Sequence, residues 1–112
     1  MRAISYLPQL QSTANEAVNT WSSKWDLDNF YNAPLYTRTA SFKTRFAEEL
    51  LVDAIEGMNS QEIVLYMMTS PKYRAVLFGP DFKYAAIGNS KWDFSAAYNL
   101  LAIDFLGDLP TQ

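Results

Sequence analysis

The chain has 112 residues, 12 acids against 9 bases, and neither histidine nor cysteine. An apolar fraction of 49% with 19% charged residues excludes a disordered chain, and the length suits one hydrophobic core, so a single globular domain over 1–112 is expected. The missing histidine and cysteine exclude Ser-His-Asp and Cys-His nucleophile sets, disulfides, and zinc sites built on thiolate or imidazole.

Leu7, Leu10, Ala14, Ala17, Val18, Trp21 and Trp25 recur at steps of three and four, which predicts a helix from about Leu7 to Trp25, opened by Pro8 in its first turn. Its outer face is neutral rather than charged, with Gln11, Asn15, Asn19 and Ser22 along it. Such a face can meet a partner without stripping water from charges. Residues 26–40 break the pattern at Asn32-Ala33-Pro34. They are expected to connect, with one helical turn at Leu27–Tyr31 and with Phe30, Tyr31 and Tyr36 pinned to the core.

A second helix is expected from Ser41 as N-cap to Gly57 as stop, burying Phe42, Phe46, Leu50 and Ala54. Asn59-Ser60 opens a third, in which Ile63 to Met68 is apolar all round and so expected to be buried on several sides. Ser70-Pro71 opens a short fourth through Phe78. The alternative there is a small β-hairpin near residues 73–87, turning at Gly79-Pro80-Asp81. The last element, Ser90 to Leu106, carries two apolar stripes: Phe94, Tyr98, Leu101 and Phe105, and opposite them Trp92, Ala96, Leu100 and Ile103. A helix with two such stripes needs packing on both, which makes it the centre, or else makes one of its stripes an interface. The fold class expected is therefore mostly α, a compact bundle of four or five helices around a central C-terminal helix.

Two clusters bear on chemistry. Glu49, Asp53 and Glu56 fall at i, i+4 and i+7, one face of the second helix, as paired acid/base carboxylates or a hard cation would require. The plainer reading is a solvated face. Arg38, Lys43 and Arg45 are interleaved with Tyr31, Tyr36, Phe42 and Phe46, a combination that neutralises phosphates and stacks bases, though three bases fall short of a usual nucleic-acid footprint. Asp93, Asp104 and Asp108 are scattered, and a buried one among them would be worth testing as a perturbed acid. The four glycines, Gly57, Gly79, Gly88 and Gly107, are too far apart for a nucleotide-binding loop. No motif for a cofactor or metal emerges.

By elimination the function expected is non-enzymatic: binding another protein and modulating or inhibiting it. The candidate surface is Gln11, Asn15, Asn19 and Ser22 with Tyr36, Arg38, Lys43 and Arg45. In size and mild acidity the chain is similar to the small proteins that phages and mobile elements direct against host defence, such as anti-CRISPR or anti-restriction inhibitors. That likeness covers no motif, and it implies a host nucleoprotein complex as partner. The alternatives are a structural or assembly subunit acting through self-association and, third, a nucleic-acid-binding protein. No segment approaches the roughly 20 apolar residues of a membrane span, and no signal peptide is evident, so a cytoplasmic location is expected.

Overall fold

The computed structural model describes residues 4–27, 35–55, 57–79 and 81–109, with the side chains of Tyr36 and Ser60 left out. The chain is an α/β sandwich and not a helical bundle. In order it forms β1 (Ser5–Tyr6), a 3-10 turn at Pro8–Leu10, α1 (Gln11–Ser22), the single turn α2 (Leu35–Arg38), a second 3-10 turn at Ala40–Phe42, β2 (Ala47–Ile55), α3 (Ser60–Met67), α4 (Pro71–Phe78), β3 (Tyr84–Trp92) and β4 (Ser95–Leu106). The sheet order is β1-β3-β4-β2, with β1 parallel to β3 and the other pairs antiparallel.

Two expected helices are strands, and each has a physical reason. The run from Ser41 is interrupted at once, because Lys43 adopts a left-handed backbone (φ 55°) that closes the turn at Ala40–Phe42. The next segment, Ala47 to Ile55, reads as a helix by propensity. Yet Leu50, Val52 and Ala54 are buried on one face while Glu49, Leu51 and Asp53 share the other. Helix preferences among these residues differ by tenths of a kcal/mol each, and nine cross-strand pairs with β4 outweigh them. The expected final helix is a hairpin: β3 and β4 turn at Asp93-Phe94, with a register shift between Lys91 and Trp92. Both stripes mix the two faces of an interior strand covered on both sides: Leu100 and Ala102 face α1, while Leu101, Ile103 and Phe105 face the opposite helices. The hairpin therefore falls one element later than the alternative at residues 73–87, whose first half is α4.

On one face, α1 lies antiparallel to β4. Leu10 and Ala14 pack on Leu106 and Ala86, and Ala17, Val18 and Trp21 pack on Leu100 and Ala102. On the other face, Met67 of α3 and Val76 of α4 close over Leu50, Val52, Ile103 and Phe105. The helix termini follow local chemistry. Asn59 and Glu62 form a reciprocal capping box at α3, and the Ser70 hydroxyl accepts the Tyr73 amide at α4. The expectation that α3 is buried on several sides is overturned, since Val64, Leu65 and Tyr66 are exposed.

Gly88 sets the distance between α1 and the sheet. A Cβ there would collide with the Ala14 carbonyl oxygen and stand 2.7 Å from its carbon and 3.0 Å from the Asn15 nitrogen, all backbone atoms that cannot turn aside. Gly88→Ala should cost about 1–3 kcal/mol by forcing the helix outward. A denaturant midpoint equal to that of the unaltered chain would refute this close approach.

Candidate functional site

The sheet outruns the helix that covers it. From Leu10 to Trp21 α1 rises roughly 17 Å, about the span of β4 from Leu106 to Leu100. Beyond Leu100 the hairpin continues to Ser95. Its α1-side residues there meet the segment after the helix. That segment is held by hydrogen bonds. The Ser22 and Ser23 hydroxyls donate back to the Asn19 and Thr20 carbonyls (3.0 and 2.8 Å), satisfying the helix end. The Trp21 indole donates to the Leu27 carbonyl (3.1 Å), the Trp92 indole to the Lys24 carbonyl (2.7 Å), and the Asp93 amide to the Ser22 carbonyl (3.0 Å).

The result is an aromatic cluster at the hairpin end. Trp25 meets Phe94 edge to face at 4.9 Å and Trp92 at 6.1 Å, and Trp92 meets Phe94 at 5.5 Å and Tyr98 edge-on at 5.8 Å. Trp92 borders the α1-side core, but the other three rings stand in solvent to a large degree. Trp25 is 73% exposed, Phe94 49% and Tyr98 38%. Trp25, Asp26, Leu27, Asp53, Trp92 and Tyr98 line a cleft of about 390 Å³. Asp53 also lies against Tyr66, and its negative charge, more than burial, raises the Tyr66 hydroxyl above its ordinary 10.0.

A second polar cluster is internal. Glu49 and Asp104 are directly opposite across β2 and β4, both facing α1. The Arg38 guanidinium donates to Glu49 Oε1 at 2.8 Å, the two side chains being only 6% and 12% exposed, and it reaches the Thr13 carbonyl at 3.4 Å. Asp104 is wholly buried. Burial first, then hydrogen bonding and charge from Glu49, push its carboxyl up from 3.8 to about 9, with Arg38 pulling the other way. Glu49 Oε2 and both Asp104 oxygens have no partner at ordinary hydrogen-bond geometry, so a proton held between the acids would satisfy one oxygen of each.

The sequence-predicted surface is divided by this arrangement. Asn15 and Asn19 are exposed on α1. Gln11 is tied inward: its amide donates to Asn15 Oδ1 (2.9 Å) and to the Ile87 carbonyl (2.7 Å), and it accepts from the Tyr6 hydroxyl (3.0 Å). It thereby continues the edge bonds that the Ser5 and Leu7 amides make to Lys83 and Ala85, shielding part of the open edge of β3. Ser22 is buried. Arg38 is spent on Glu49, while Lys43 and Arg45 line a separate groove of about 360 Å³ with Phe46 and Asp108. The three bases thus make no single patch. Tyr36 lies in α2 without a described side chain, and Phe30, Tyr31 and Glu56 fall outside the described residues, as does most of the turn expected at Leu27–Tyr31. Glu49 and Asp53 do share a face, that of a strand, with Glu49 internal and Asp53 at the cleft.

Sequence reasoning misses the cleft because Trp25, Trp92, Phe94 and Tyr98 fit helical apolar stripes, and an interface on one stripe of the last helix is only the alternative to a central, buried one. One available signal is Trp25, which follows Ser22, Ser23 and Lys24 at the end of its stripe.

No family model and no curated protein matches the sequence. Among solved structures, an outer surface protein from Borrelia burgdorferi is similar, with a TM-score of 0.66 and 14% identity, covering 96% of this chain and 79% of that one. At that identity the likeness shows the fold alone. Among the described residues, no helix is long and apolar enough to cross a membrane.

Proposed function

We propose that this chain is a non-enzymatic recognition module that binds a partner protein through the aromatic end of the β3–β4 hairpin. The observation that carries the reading is the tilted and edge-to-face packing of Trp25, Phe94 and Tyr98 around Trp92 at a cleft, with Trp25 and Phe94 left substantially in solvent. Aromatic side chains are among the groups that dominate protein interfaces, because they bury large area and cluster at the centre of contact surfaces. The narrower expectation, an inhibitor of host defence carried by a phage or mobile element, draws on size and mild acidity and gains nothing from the fold.

The test compares the unaltered chain with a Trp25→Ala/Phe94→Ala variant in capture from native extract. Each truncation should weaken the partner complex by about 2 kcal/mol while leaving the thermal midpoint nearly unchanged. A partner retained equally by both proteins would refute this surface.

Self-association, the second reading, is favoured by the exposed Val64, Leu65 and Tyr66 of α3. Sedimentation across a concentration series decides it: a dimer lost on Leu65→Glu supports this face, and a monomer at high concentration removes it.

A further inference from the structure

Resting on the reading of the aromatic end as a binding surface, we infer that the cleft between Trp25, Trp92 and Tyr98 receives a cationic side chain of the partner, an arginine guanidinium, against Asp53. The cleft combines two features that one ligand class requires together. Its rings stand at different inclinations, Trp92 at 35° to Trp25 and at 83° to Tyr98, and a cation is attracted to an aromatic face within about 6 Å. The same lining carries the carboxylate of Asp53, which Tyr66 approaches from α3, and, among the described residues, neither a lysine nor an arginine.

The Asp53 carboxylate disfavours an anion. A neutral sugar would use the rings without using that charge. An ammonium satisfies a carboxylate as a point charge, whereas a guanidinium stacks flat on an indole while its edge forks to a carboxylate, so both features are used at once. The partner is thus expected to present an exposed arginine in a basic segment, complementary to the acidic cleft.

The full chain is titrated with a short glycine-flanked peptide containing two arginines, following tryptophan fluorescence, and with matched peptides in which citrulline, lysine or glutamate replaces arginine. Citrulline keeps the shape of arginine and loses its charge. Arginine should bind at least tenfold more tightly than citrulline and more tightly than lysine, with glutamate not binding. Asp53→Asn should weaken the arginine peptide several-fold and flatten its salt dependence, and Trp25→Ala should weaken it about tenfold. Because Trp25 is exposed, its loss is read on a folded protein, which circular dichroism verifies.

Equal binding of citrulline and arginine, no change on Asp53→Asn, no arginine binding at millimolar peptide, or displacement by a neutral oligosaccharide would each overturn the cation assignment. If native capture still depends on Trp25 and Phe94 while arginine peptides fail, the surface stands and the cation is wrong. If capture fails too, both fall.

Discussion

Replacing Arg38 by alanine is expected to destabilise the protein by about 3–5 kcal/mol, a large share of the roughly 5–15 kcal/mol that holds a domain folded. Arg38 reaches from α2 beneath α1, where its guanidinium holds Glu49 at 2.8 Å beside the wholly buried Asp104. Without it, two carboxyl groups remain in a space closed by α1 and the sheet, with no cation among the described contacts to offset the lost hydration. Lysine should rescue only part of the loss, since one ammonium cannot reproduce the planar fork that meets both Glu49 and the Thr13 carbonyl. The double variant Arg38→Met/Glu49→Leu should be more stable than Arg38→Ala, because it removes the charges together. Urea unfolding at neutral pH measures all three. A loss below about 1 kcal/mol for Arg38→Ala would class the pair with exposed ion pairs.

The same cluster shows where the sequence can be read and where it cannot. Helix α1 is legible because its stripe, Leu10 to Trp21, keeps one period over three turns and one face of it is buried. The capped starts of α3 and α4 are legible for a similar reason, as Asn59-Ser60 and Ser70-Pro71 are local chemistry. The sheet is not. A short run such as Glu49-Leu50-Leu51-Val52-Asp53 fits a helix and a strand alike, and only its pairing with β4, far along the chain, decides between them. The turn at Asp93-Phe94 carries no glycine, proline or asparagine, so the hairpin runs on as one long pattern. Misreading these segments moves the functional candidates with them. Arg38, expected at a surface, is internal, and Trp25, expected on the buried stripe of the first helix, is surface. Asp104 stands out in the sequence only on condition of burial, and its burial depends on α1 covering its face of β4.

Asp104 should make stability fall as pH rises. In the unfolded chain its carboxyl has its ordinary value of 3.8 and is ionised above it, whereas in the folded protein it keeps its proton to about 9. Between those limits the folded state binds more protons than the unfolded one, so unfolding releases a proton and becomes easier with each step toward alkali. The contribution is fully present below pH 4 and lost by the time pH passes 9, with a slope of order 1 kcal/mol per pH unit at most. The chain has no histidine or cysteine, and Tyr66 and Tyr73 are both raised above 10.0, so few other groups titrate between pH 5 and 9 to obscure the trend. Asp104→Asn keeps the shape and a hydrogen-bond donor for Glu49 without a proton to lose. Its urea midpoint should stay level from pH 5 to 9 and exceed that of the unaltered chain above pH 8. Parallel profiles for the two proteins would show that Asp104 finds compensation for its charge once ionised, and the proton between the two acids would have to be abandoned.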